Sequence, residues 1–327
     1  MSERVLGSLS VERIGNTRIT NSTIDGVRRA ILEGPLDAQT ADALNASLIT
    51  QMVIGFGYGP TSEIIDSSNM PKAMKSARQY TATVDLTELK RIESLEYLSL
   101  NCNVGKGLES IEYLPNLKHL ELGEPLESRI NFGKLHALRS FAMENCSGLE
   151  LVFKCTWLEK LSLPKLKASD LRFLTHLEAL RNLSISNTSL NSLEGIPNIE
   201  SINLAYVPKL ESLVPLSNCT NLKVINLEKC VRIRDISPLE NLKNLESLRM
   251  DNCGEIESLR PLLKLEKLTN LSFIESTKIL DGDIACLLES ASLKFSKYAN
   301  RKHYNIRCKE WHVKRWPDQI WPQALLD

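Results

Sequence analysis

The sequence predicts an α/β-type repeat solenoid: an arc with a parallel β-sheet on its concave face and 3₁₀ or irregular turns on its convex face. Three observations predict it. A nine-residue segment recurs at near-constant spacing along most of the chain. Within each copy apolar residues alternate, the mark of a half-buried strand. Between copies they fall every third residue, which is the repeat of a 3₁₀ turn and not of an α-helix.

The copies are LEYLSLNCN from Leu95, LKHLELGEP from Leu117, LRSFAMENC from Leu138, LEKLSLPKL from Leu158, LRNLSISNT from Leu180, IESINLAYV from Ile199, LKVINLEKC from Leu222, LESLRMDNC from Leu245 and LTNLSFIES from Leu268. Successive starts lie 22, 21, 20, 22, 19, 23, 23 and 23 residues apart. The period-three set runs through Leu86, Leu89, Ile92 and Leu95, and through Leu108, Ile111, Leu114 and Leu117. It returns at Leu171, Leu174, Leu177 and Leu180, at Leu213, Leu216, Cys219 and Leu222, and from Ile236 and Ile256 onward. The ninth place holds Asn103, Cys146, Thr188, Cys230, Cys253 and Ser276. Such side chains can bond backbone left unpaired where a strand turns away. Each copy buries about six aliphatic side chains, worth roughly 1.5–3 kcal/mol apiece. One copy cannot hide them alone, so stacking makes the core.

This pattern resembles the leucine-rich repeat family, in the class with units of about 22 residues found in internalins and in a phosphatase-regulating repeat protein. It covers residues 84–276. The resemblance implies the concave parallel sheet and a binding role, and it implies no one partner.

Residues 1–83 read as an N-terminal cap with degenerate repeats. Leu6, Leu9, Val11 and Ile14 begin a repeat-like spacing. Leu36 to Leu48 reads as a short helix with Asp37 as its N-cap, and the stretch from Ile49 as a strand running into a loop. Gly55, Gly57 and Gly59 lack the Lys of a phosphate loop and read as a turn. Residues 60–79 are polar and read as a surface loop or a partner-contacting insertion. Residues 277–327 read as a repeat remnant and a basic, aromatic cap. Between Lys294 and Arg315 there are eight Lys or Arg against one acid, Glu310, and Trp311, Trp316 and Trp321 lie in the last 17 residues. KYANRKHYN, from Lys297, resembles the closing segment of some bacterial leucine-rich-repeat proteins.

Forty Lys and Arg balance forty Asp and Glu. That argues against a wholesale nucleic-acid binder and against a polyacidic disordered chain. No apolar run spans a membrane, and the first residues lack the apolar stretch of an export signal. Eight Cys without a CxxC pair read as reduced thiols of a cytoplasmic protein. No metal or cofactor is predicted, and no HExxH, GxSxG, Walker or Rossmann fingerprint appears in context.

The third, fifth and seventh places of each copy point away from the core. They supply the candidate protein-binding residues: Tyr97, His119, Glu121, Glu144, Lys160, Asn182, Asn203, Asn226, Glu228, Arg249 and Asp251. The middle of this face is small and uncharged. Tyr97 and Arg249 are favoured as anchors because their types are enriched at hot spots, and the acidic edge of Glu144, Glu228 and Asp251 favours a basic partner. The expected function is a non-catalytic protein-binding scaffold, in the form of an intracellular inhibitor or immunity protein against a toxin or enzyme. The alternatives are an RNA-associated protein working through the basic tail and a thiol enzyme at Cys308, which His303 and His312 flank.

Overall fold

The computed structural model describes residues 10–15, 17–21, 28–32, 35–55, 84–102, 104–123, 130–143, 152 and 154–306. The expectations for Glu144, Asn103, Cys146, Cys308, residues 60–79 and the three late Trp lie outside these residues. The chain divides into two compact units, Met1–Leu158 and Glu159–Asp327.

Unit 1 carries β1 (Ser10–Ile14), β2 (Thr17–Asn21), β3 (Arg28–Leu32), α1 (Ala38–Ala46), β4 (Gln51–Gly55), β5 (Val84–Asp85), β6 (Tyr97–Asn101), β7 (Val104–Lys106), β8 (His119–Leu122) and β9 (Ser140–Met143). From β3 the sheet runs parallel through β4, β6, β8 and β9. The first two pairings, β1 with β2 and β2 with β3, are antiparallel. Val11 and Ile14 therefore belong to a hairpin and not to a repeat turn. The cause is local: Ile14 pairs with Thr17 across the two residues Gly15 and Asn16, and Gly15 takes φ 53, which a two-residue hairpin loop needs. Helix α1 forms as expected, with the Asp37 carboxylate accepting from Thr40 N–H at 2.7 Å. Its apolar face, Ala41 and Leu44, is fully buried.

Unit 2 carries β10 (Lys160–Pro164), β11 (Asn182–Ser186), β12 (Ser201–Ala205), β13 (Val224–Glu228), β14 (Ser247–Asp251), β15 (Glu255–Ile256), β16 (Asn270–Phe273), β17 (Lys278–Ile279) and β18 (Phe295–Tyr298). Strands β10 to β14, β16 and β18 form one parallel run in which equivalent places pair in register, as Asn203 with Asn226. Places four and six point inward: Leu183 with Ile185, Ile202 with Leu204, Ile225 with Leu227 and Leu248 with Met250 are at most 2% exposed.

The period-three residues close the turns that return each strand. Leu216 N–H donates to Leu213 C=O, Cys219 to Leu216 and Leu222 to Cys219, each at 2.8 to 2.9 Å. The side chains that fill the core thus sit on the residues whose backbones make the three-back bonds. Several turns open on an Asp or Ser that accepts the N–H two residues on, as Asp235 does from Ser237 at 2.7 Å and Asp170 from Arg172 at 3.1 Å. This is the local bond that makes these residue types start turns.

Asp85, held by Lys106 and by Thr87, and Asp170, held by Arg172, are both drawn down to about 2. A carboxylate whose folded pKa is depressed stabilises the fold above its unfolded value and loses that contribution as pH falls. The melting temperature is expected to drop progressively as pH goes from about 4 toward about 2, and less steeply in Asp85→Asn with Asp170→Asn. Equal slopes in parent and variant would refute the assignment.

The residue after each strand from β10 to β14, and Glu275 after β16, adopts left-handed backbone: Lys165, Asn187, Tyr206, Lys229, Asn252 and Glu275 have φ between 53 and 59. Their N–H groups extend the ladder, as Tyr206 to Glu228 C=O at 2.8 Å and Lys229 to Asp251 C=O at 3.0 Å. Among the described residues no helix is long and apolar enough to cross a membrane.

Candidate functional site

Alternation leaves one sheet face of each unit free of the core. In unit 2 its middle row runs Ser162, Ser184, Asn203, Asn226, Arg249, Ser272 and Lys297, brought side by side by the register. Ser184, Asn203, Asn226 and Arg249 are half-buried, as are Asn182 and Glu228, while Lys160 is exposed. Asn203 Nδ2 donates to Ser184 Oγ at 3.2 Å. Among the described residues the side chains of Asn182, Asn226 and Lys160 have no hydrogen-bond or ion-pair partner. They are polar groups displayed outward and not spent on the fold.

Arg249 and Asp251 differ from the open groups that the sequence suggests. Asp251 is 2% exposed. Its carboxylate accepts from Arg249 Nε, from Ser272 Oγ at 3.1 Å and from Ile274 N–H at 3.2 Å. The strand after it is one residue shorter, and Asp251 turns in to satisfy the backbone at that point. In unit 2 this leaves Glu228 as the seventh-place acid open to a basic partner.

In unit 1 the register sets Tyr97 beside His119 and Ser99 beside Glu121. The Tyr97 and His119 rings lie 6.2 Å apart. Tyr97 is 6% exposed and Ser99 fully buried, so this part of the face is covered and Tyr97 is not a reachable anchor. The Tyr97 hydroxyl has no hydrogen-bond partner; burial raises its pKa, and the Glu121 carboxylate nearby acts in the same direction.

The ninth-place expectation holds where it can be seen, with one shift. Thr188 Oγ1 donates to Leu166 C=O at 2.6 Å, Cys230 Sγ to Leu204 C=O at 3.5 Å and Cys253 Sγ to Leu227 C=O at 3.4 Å. In the last copy Thr277 makes this bond, to Met250 C=O at 2.6 Å, while Ser276 is exposed. Burial pushes Cys155, Cys219 and Cys230 up to about 11, and Cys253 and Cys286 up to about 12. Thiols held protonated are poor nucleophiles. Iodoacetamide at about pH 8 is expected to leave these five unmodified in the folded chain and to label them all in urea; rapid labelling of any one by mass spectrometry would contradict this. Among the described residues no three His, Cys, Asp or Glu cluster as metal ligands.

The segment from Lys297 closes the last turn. Tyr298 stacks on Phe273 at 5.1 Å, and Tyr304 Oη accepts from Ile279 N–H at 2.9 Å. Arg301 donates to Glu275 C=O and Thr277 C=O, and Asn305 Oδ1 accepts from the N–H groups of Ile284 and Ala285.

A family profile described as "Leucine Rich repeats (2 copies)" matches residues 220–264. Comparison with curated proteins found no match. Among solved structures, the TLR13–ssRNA13 complex is similar at 18% identity with a TM-score of 0.50, over 77% of this chain and 42% of that one. An internalin (inlF) from Listeria monocytogenes matches at 16% identity and a TM-score of 0.44, over 87% of this chain and 90% of that one. The LRR protein LIC12759 of Leptospira interrogans matches at 14% identity and a TM-score of 0.36, over 81% of each chain. At such identities the likeness speaks to fold alone.

Proposed function

We propose that this chain, built of leucine-rich repeats, is a non-catalytic binding protein that holds another protein against the open sheet face of its second unit. One observation carries the reading: an in-register row of Ser and Asn, with Asn182, Asn226 and Lys160 unpartnered among the described residues. Polar groups in fixed register, already ordered by the sheet, lose little freedom on docking. Seven strands about 4.8 Å apart and about 17 Å long give a face of the same order as the ~800 Å² each partner commits to a standard interface. The specific form of the reading is an inhibitor or immunity protein that covers an enzyme or toxin. The segment 297–305 closes the last turn, so its Arg, His and Tyr side chains support a cap over that stretch.

A photo-crosslinking amino acid placed at Asn203 or Asn226 is expected to capture the same single protein, in about one-to-one yield, from the source cell at low salt. The same group at Val214, on an exposed convex turn, is expected to capture none. Failure to capture any stoichiometric protein from the sheet positions would overturn the proposal.

A further inference from the structure

A second surface lies along the edge that follows the strands of unit 2. There the left-handed residues form a row, and an open groove of about 680 Å³ runs beside it. Tyr206, Pro208 and Val231 supply its apolar part, and Tyr206 and Val231 are 42% and 49% exposed. Lys209 and Lys229 supply two ammonium groups, and no Asp or Glu lines the groove. Lys209 has no ion-pair partner among the described residues. Lys229 Nζ donates to Tyr206 Oη at 2.8 Å and lies 4.2 Å from the ring centroid.

Tyr206 and Lys229 occupy the left-handed place of adjacent copies, where the flanking copies carry Asn187 and Asn252, and these two side chains meet.

We propose that this groove docks an acidic peptide segment, with its carboxylates on Lys209 and Lys229 and an apolar side chain against Tyr206, Pro208 and Val231. Charge complementarity selects the carboxylates. The exposed Pro and Val select a peptide over a nucleic acid, because a phosphate backbone gains from a run of cations, and here two lysines in adjacent copies are flanked by the amides of Asn187 and Asn252. One side of the Tyr206 ring is also taken by Lys229, which leaves less of it for base stacking.

The test is fluorescence anisotropy of the full chain with a labelled octapeptide alternating Asp and Leu. Two competitors are the same peptide with Lys for Asp, and octauridylate. The acidic peptide is expected to bind at least tenfold more tightly than either. Tyr206→Asn, Lys229→Asn and Val231→Ser are each expected to weaken it at least fivefold. Asn at 206 and 229 repeats what the fold already carries at 187 and 252, and Val231 is exposed, so all three keep the parental melting curve. Asn203→Arg, on the open sheet face, is expected to leave this binding unchanged, which separates the groove from the sheet site. Four results overturn the proposal: no binding at millimolar peptide, equal binding of the basic peptide, preference for octauridylate, or indifference to all three groove substitutions.

Discussion

Phe273→Ala is expected to destabilise the second unit by about 3–5 kcal/mol, the range for deleting a fully buried aromatic side chain. Phe273 is 0% exposed and occupies the inward place of β16. Its ring stacks on Tyr298 with planes 4° apart, and Tyr298 meets Tyr304 edge-on at 6.2 Å. The chain of rings couples the last full copy to the turn that closes it, so truncation empties space between β16 and that turn. Relaxation of the terminal strand β18 into the void moves the effect toward the lower end of the range. Urea titration followed by circular dichroism measures the loss. A loss under about 1 kcal/mol for Phe273→Ala would show that the closing turn does not depend on this ring.

The same rings show what a single sequence discloses. The period-two and period-three spacings were readable because burial repeats with the backbone, and every aliphatic place they marked from Leu171 to Leu180 is fully buried. The ninth-place bonds were readable for Thr188, Cys230 and Cys253, since one residue class recurs there. Thr277 was missed because in that copy the donor sits one residue beyond the ninth place, which Ser276 holds. The left-handed row was invisible: Lys165, Asn187, Tyr206, Lys229, Asn252 and Glu275 share a backbone conformation and no side-chain chemistry. The burial of Tyr97 and Ser99 depends on packing across the face, which alternation along one strand does not report. Gly15 and Asn16 carried a hairpin signal that the leucine spacing of the flanking residues masked.

Arg249→Ala is expected to cost more than Asp251→Ala, although both delete the same ion pair. The Asp251 side chain is 3% exposed and that of Arg249 is 38% exposed. Removing Arg249 strands a carboxylate with Ser272 and the Ile274 N–H as its remaining donors, and an unpaired buried charge costs about 3–5 kcal/mol. Removing Asp251 leaves a guanidinium that water can reach. It also leaves the half-buried Ile274 N–H without its acceptor, for a loss of about 1–3 kcal/mol. The double variant is then expected to be more stable than Arg249→Ala alone, a non-additivity that a double-mutant cycle reads directly. If Arg249→Ala is no worse than Asp251→Ala, the carboxylate is not the buried member of the pair. The asymmetry also bears on binding: loss of a partner in Arg249→Ala mixes a missing contact with a disturbed β14, whereas Asn226→Ala, at the same place on β13 and without a partner of its own, reports on the contact alone.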